Sequence, residues 1–457
     1  MASPVVTKTK NVNMTEGPLW NKIMIYFIPL LFTTVMQRIL HSMDVAIIGR
    51  FSGEADLAAV GATGSISSLL TNLVTGLSIG SVVLVGQLIG SNKDKTAKKA
   101  IHNSIIIGFA GGVIIALLGV IFSRKLLILT STPAEILDKA TLYLVIIFLD
   151  KPFNLTAAFA SCVARSKGDS KSPLYCSLLG SLSNLFLNII FVAVFHWGVF
   201  GVAIATFISQ VLTCVSILYM LSKDKSVYKF SFRELKPDKY IISRIISIGI
   251  PSAIYSITSP ISGMFVQSSY NSLGTKIMAA HAMGTTWESI AFCVTAAFTQ
   301  TTIAFVSQNY GAKKLDRCKK TLYITIGMST LFTYLLDILI IVFKEYTIGF
   351  MSDDPVIIKL AVERLCFVFA GHFFLIVVDQ LTSALRGFGN TLAPSIISTV
   401  GICGLRILWV LTIFNHYKTY TSMITVYPIT FLITAIAMTI AYIYTYRRLP
   451  IHDKNQR

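Results

Sequence analysis

Asp44 is a carboxylate set in apolar surroundings. It stands in QRILHSMDVAIIG, about five residues before the far end of the first long hydrophobic run. His41 lies three residues back and Gln37 seven, so on a helix all three share a face. Asn184 and Asn188, in SNLFLN, are four apart on one face of the fifth run, and Thr206, in GVAIATFISQ, lies inside the sixth. At the rise of a helix these groups lie about 8 to 17 Å below the same surface. One carboxylate with amide and hydroxyl oxygens at one depth suits a proton or Na⁺ site, because hard cations take oxygen ligands and a carboxyl group moved out of water favours its protonated form. The alternative is structural: small polar side chains also bond neighbouring helices within a bilayer.

Other polar groups sit inside apolar runs, where their cost makes each a functional candidate. Glu288, in TTWESIAF, and Asp379, in LIVVDQLTSAL, suit a cationic substrate or a second coupling proton; either equally suits a pairing with a buried base. Gln210, four residues beyond Thr206, joins Gln37 and His41 as a further substrate or coupling candidate. Asp150 and Lys151 read as a local charge pair. Arg38 lies about 240° around its helix from Asp44 and therefore points to an acid on another helix. Asp337 has no evident role.

The elements that must position these groups follow from composition. Of 457 residues 54% are hydrophobic and 13% charged, with a mean hydropathy of +0.70. A soluble domain is nearer a quarter charged, so a cytosolic enzyme, a disordered chain and a disulfide scaffold are excluded. Twelve runs long enough to span a bilayer lie at 22–49, 57–89, 97–123, 137–165, 172–195, 198–221, 240–270, 277–309, 319–343, 356–386, 392–414 and 422–446. Pro29, Pro152, Pro251 and Pro260 fall inside them as kink points. The fold class is an all-α polytopic membrane protein.

The net charge of +18 comes from bases concentrated in short loops, which reads as membrane orientation rather than nucleic-acid binding. With the N-terminus inside, 26 bases fall in cytoplasmic segments against 8 outside, which places both termini in the cytoplasm. The first twenty residues are polar and the next run is too long for a signal-peptide core, so no cleaved leader is expected. The seven cysteines form no CxxC pair or Cys/His cluster and read as buried thiols.

The chain also repeats itself. At an offset of 221, VGQLIGSNKDKTAKK (85–99) lies on VSQNYGAKKLDRCKK (306–320), and ARSKGDSKSP (164–173) lies on LRGFGNTLAP (385–394). The implied organisation is a cytoplasmic segment (1–21), a six-helix lobe (22–221), a linker (222–239), a second six-helix lobe (240–446) and a tail (447–457). An even number of spans per copy makes the repeats parallel, related by a pseudo-two-fold axis along the membrane normal, with a substrate path between them. That describes an alternating-access transporter. At the same offset Asn184, Asn188, Thr206 and Gln210 become Leu405, Trp409, Tyr427 and Phe431, while Asp44 becomes Phe265, or Val266 if the register shifts by one. The polar set therefore belongs to the first copy alone, as a coupling site needed once would.

The duplicated plan, MDVAIIGRFSGEADLAAVG (43–61), VGQLIGSNKDKTAKKA (85–100), its copy at 306–320, and RGFGNTLAP (386–394) resemble the multidrug and toxic compound extrusion (MATE) family over nearly the whole chain, from Trp20 to Leu449. The resemblance implies two six-helix lobes forming a V-shaped cleft, and export of amphipathic, often cationic drugs in exchange for Na⁺ or H⁺, hence a role in antibiotic resistance. It implies that Asp44, Asn184, Asn188 and Thr206 form a cation site in the N-terminal lobe, with Na⁺ held there where Na⁺ is the coupling ion. Some members carry Asp at the place of Asn188. The NorM-like branch has acids where Ser259 and Leu375 stand here, so the DinF-like and MepA-like bacterial branch is the nearer comparison.

No enzymatic role is expected: the seven histidines are scattered, and DxxxD, HxxxH and phosphate-loop motifs do not occur. The expected state is a monomer in the plasma membrane, with no cofactor beyond the coupling ion and no nucleic-acid partner. The alternative within the same superfamily is a lipid-linked oligosaccharide or other lipid flippase.

Overall fold

The computed structural model describes residues 11–449, with the side chains of His41, Val45 and Ser259 outside the description. Backbone groups in a bilayer have no water to bond, so each long apolar run closes its own hydrogen bonds as a helix. The helices are α1 (Leu19–Phe51), α2 (Glu54–Ala62), α3 (Gly64–Gly90), α4 (Asp94–Leu129), α5 (Ala134–Leu149), α6 (Lys151–Ser166), α7 (Lys171–Asn188), α8 (Gly198–Ser222), α9 (Lys239–Ser272), α10 (Thr275–Gly311), α11 (Leu315–Val342), α12 (Lys344–Thr347), α13 (Pro355–Gly387), α14 (Leu392–Ser398), α15 (Leu405–Trp409), α16 (Asn415–Tyr417) and α17 (Tyr420–Arg447). Among the described residues eleven helical stretches are long and apolar enough to cross a membrane, and the bent pair α5–α6 makes a twelfth. They form two six-span lobes, α1–α8 and α9–α17. Large apolar side chains such as Leu117, Ile121 and Ile440 face outward, as a lipid-solvated surface requires.

Several local features depart from the simplest reading of the runs. The second run starts with a separate short helix: α2 ends at Thr63, and α3 alone makes the span. Pro152, lacking an N–H, breaks the fourth run into α5 and α6, bent by 43°. Gly112 of α4 makes room for the break, since a Cβ there would collide with the Pro152 and Lys151 backbone. Pro29, Pro251 and Pro260 instead lie inside continuous helices. Wide π-type turns, which hydropathy does not register, extend α7 at Ile189–Val194 and interrupt the eleventh run at Thr399–Gly404 and Val410–Phe414.

The lobes meet through small residues. Gly76 and Gly80 of α3 lie against the backbone of Ala253 and Ile245 in α9, and Gly249 returns the contact on Leu77. Such small-xxx-small faces let helix backbones approach closely in lipid. Around them one apolar cluster joins both lobes, with Phe27 stacked on Phe298 at a ring separation of 3.8 Å.

Toward the basic loops the junction is itself two-fold. Gln87 Nε2 donates to the Gly387 carbonyl at 2.9 Å, and Gln308 Nε2 donates to the Ser166 carbonyl at 2.5 Å. Both donors and both acceptors are partners under the 221-residue repeat. A Cβ at Gly90 would strike the Gln308 carbonyl oxygen, and one at Gly311 would strike that of Gln87.

The inter-lobe linker is clasped to the first lobe rather than hanging free. Phe230 is fully buried and stacks on His102, whose Nε2 accepts from the Ser231 amide at 3.1 Å. Lys167 donates to Asp224 at 2.6 Å. Burial alone would raise the Asp224 carboxyl, but the Lys167 ammonium and the Ser226 donors hold it below the ordinary carboxylate range.

Candidate functional site

The cluster around Asp44 is assembled from α1, α7 and α8. Asn188 Nδ2 donates to Asp44 Oδ1 at 2.7 Å across 144 residues of chain. Asn188 is fully buried, Asn184 nearly so and Asp44 half-buried. The π turn begins immediately after Asn188. Ile48, Val192 and Val202 pack as an apolar floor beside the cluster, with Tyr143 against them.

Asn184 mediates between the carboxylate and Thr206, and its amide has two chemically distinct settings. With the nitrogen turned inward it donates to Asp44 Oδ1 at 2.8 Å and Oδ2 at 3.2 Å, and its oxygen accepts from the Thr206 backbone N–H at 3.3 Å. That setting satisfies an ionised carboxylate. With the nitrogen turned outward it donates to Thr206 Oγ1 at 3.4 Å, its oxygen accepts from Asn188 Nδ2 at 3.2 Å, and that oxygen faces Asp44. Two facing oxygens repel unless a proton or cation lies between them. Asn188 Oδ1 is buried with no partner among the described residues, a further oxygen able to face such an ion.

Gln37 and Gln210 do not join this cluster. Gln37 Nε2 reaches Ser177 Oγ at 3.0 Å, so it ties α1 to α7 instead. Gln210 is half-buried and takes no part in the hydrogen bonds that hold Asp44. The His41 side chain lies outside the described residues.

Glu288 and Asp379 lie in the second lobe, lining a cavity of about 580 Å³. Glu288 does not stand ready for a cation: Arg364 Nη2 donates to it at 2.7 Å. Arg364 Nε in turn donates to His281 Nδ1 at 3.1 Å, which makes that nitrogen the acceptor. Asp379 Oδ2 is buried without a partner among the described residues. Leu375 also lines the cavity.

Asp337 finds a place here as well, bonded to His372 Nδ1 at 2.7 Å. Arg38, from α1, lines the same cavity, and Asp150 and Lys151 form their local pair at 2.8 Å, both buried.

Arg364 and Arg406 are absent from the residues singled out in the sequence, although both fall inside apolar runs. A search of those runs for bases as well as acids finds them, together with Arg38, Lys151 and Arg244.

Comparison with known proteins bears on the whole chain. The MatE family model matches twice, at residues 29–190 and 251–412, once per lobe. "Probable multidrug resistance protein YoeA" of Bacillus subtilis (strain 168) is 27% identical over 422 residues, covering 91% of this chain and 90% of its own. "Multidrug export protein MepA" of Staphylococcus aureus (strain N315) is 23% identical over 378 residues, 82% of this chain and 80% of that one. The crystal structure described as MATE in the bent conformation superposes with a TM-score of 0.90 at 19% identity, covering 99% of this chain and 100% of the other, a likeness of fold.

Proposed function

The chain belongs to the MatE family of multidrug and toxic compound extrusion transporters, and on that premise we propose that it is a secondary active exporter of amphipathic compounds, driven by cation entry at Asp44. In the outward-facing state a cation reaches Asp44, Asn184, Asn188 and Thr206, which favours closure and rotation to the inward-facing state. Release of the cation toward the cytoplasm then allows substrate to load. Coupling requires that the cation favour one state over the other.

The observation that carries this reading is the convergence of a lone carboxylate with two amides from a distant helix, in the first lobe only. Of the two coupling ions, H⁺ fits with less rearrangement. Protonated Asp44 donates to the outward-turned Asn184 oxygen without moving any helix. Na⁺ needs that oxygen, Asn188 Oδ1 and Thr206 Oγ1 drawn together around the carboxylate.

The test is the purified chain in vesicles with Na⁺ and pH gradients imposed separately, following ethidium and fluorescein. Transport of either dye follows one gradient, and Asp44→Asn reduces the gradient-driven rate at least tenfold. Dye movement in neither gradient, or undiminished coupling in Asp44→Asn, refutes the proposal.

A further inference from the structure

The second lobe contains guanidinium groups with donors that neither the helix packing nor the coupling cycle at Asp44 uses. Two of them, Arg364 and Arg406, together with Arg38 from α1 of the first lobe, line the 580 Å³ cavity against two carboxylates, Glu288 and Asp379. Glu288 is engaged by Arg364. Asp379 has Arg386 seven residues on along the same helical face, buried with Nε and Nη2 unpartnered. Positive charge is left in surplus in the cavity.

The unused donors converge on one aromatic ring. Arg364 lies 5.2 Å from the Tyr427 ring centroid and Arg406 lies 4.6 Å from it, so the two like charges stand within about 10 Å of each other. Arg406 also packs on Phe431, at 5.1 Å. Arg364 is fully buried, and among the described residues its Nη1 and the buried Arg406 Nε have no hydrogen-bond partner. Buried donors of this kind are costly unless something accepts from them. Guanidinium groups are suited to carboxylate and other oxyanions by their planar fork of donors. Phe292, Leu375 and Ile402 supply an apolar wall beside them.

The repeat shows that this polarity is particular to the second lobe. At the 221-residue offset Arg364 stands where the first lobe has Tyr143, and Arg406 where it has Leu185. Conversely Phe265 stands where the first lobe has Asp44. The same fold thus carries an acidic site in one lobe and a basic cavity in the other.

We infer that the second-lobe cavity is a substrate site for amphipathic organic anions, whose oxyanion group is held between Arg364 and Arg406 beside the Tyr427 ring while the apolar body lies on Phe292, Leu375 and Ile402. The inference rests on the exporter reading and names the substrate class of the pathway it implies.

Fluorescein and rhodamine 123 share a xanthene core and differ in charge, so they isolate this choice. Equilibrium binding of each to the full chain in nanodiscs, at pH 8 with no gradient, is read by fluorescence anisotropy. Fluorescein binds at least tenfold more tightly than rhodamine 123, and Arg406→Gln weakens fluorescein at least tenfold while leaving rhodamine 123 within twofold. The wild-type comparison needs no variant to fold, and retained rhodamine 123 binding certifies the fold of Arg406→Gln. Tighter binding of rhodamine 123 by the wild type, or undiminished fluorescein binding by a folded Arg406→Gln, overturns the inference. Anion-selective binding without gradient-driven export sinks the exporter reading alone. Gradient-driven export with preference for the cationic dye sinks this inference alone.

Discussion

The two lobes share a backbone plan and a repeat register, yet Asp44 in the first and Glu288 in the second are buried in opposite ways. In the first, Asp44 is surrounded by neutral amides, with Asn188 at 2.7 Å. Among the described residues no opposite charge pairs with it, as the proposed cation exchange requires. In the second, Glu288 is locked by Arg364 at 2.7 Å and Asp337 by His372 at the same distance, while unpartnered guanidinium nitrogens remain. A neutral hydrogen-bonded carboxylate can cycle at little structural cost. A buried ion pair cannot, because removing one partner strands the other.

That contrast predicts the largest effect at Arg364. Arg364→Met leaves Glu288 without its counter-charge and destabilises the chain by about 3–5 kcal/mol; the double variant Arg364→Met/Glu288→Met recovers most of the loss, both read by thermal unfolding in detergent. Failure of the double variant to recover would mean that Arg364 acts through its packing rather than its charge. In the first lobe Asn184→Ala removes neutral partners only and costs about 1–2 kcal/mol of stability, while reducing gradient-driven dye export much more strongly. Equal loss of stability and transport would erase the distinction between the lobes.

The junction tests where the lobes are alike. Gln87→Ala and Gln308→Ala each lose one side-chain bond, worth about 1 kcal/mol, and their effects on the spin-label distance distribution across the basic-loop end are equal. Unequal shifts would show that the two-fold latch is symmetric in geometry but not in energy.

The smallest effect concerns the linker, which the second lobe lacks. Lys167 pairs with Asp224, whereas the repeat places Phe388 opposite Lys167. Because the folded Asp224 carboxyl is held below its ordinary value, the pair stabilises fully above that value, near 4, and the stabilisation is lost as pH falls through the lowered folded value. Amide exchange at residues 224–231 quickens on acidification beyond the intrinsic pH effect, and Asp224→Asn quickens it already at neutral pH, by a factor of a few.

How much of this was legible beforehand differs from residue to residue. The convergence of Asn184 and Asn188 with Asp44 followed from shared depth and a four-residue spacing. Glu288 was visible as an acid in an apolar run, but its engagement by Arg364, 76 residues away, was not. Gln37 shares the Asp44 face by spacing and still turns to Ser177, because the neighbouring helix offers a nearer partner at that level. The π turns left no trace in hydropathy, since they add a residue to a turn without changing its apolar character.

Linear order alone sets the number of spans, their duplication and the confinement of the Asp44 group to one copy, because bilayer solvation acts on each apolar run separately and a repeat is a property of order. The rotation of each helix about its axis was decided only by packing. Spans that are apolar nearly all round carry no amphipathic stripe to declare which side faces inward. Close approach of α3 to the second lobe at Gly76, Gly80 and Gly90, and the bend at Pro152, belong likewise to the packing and not to the hydropathy of any one run.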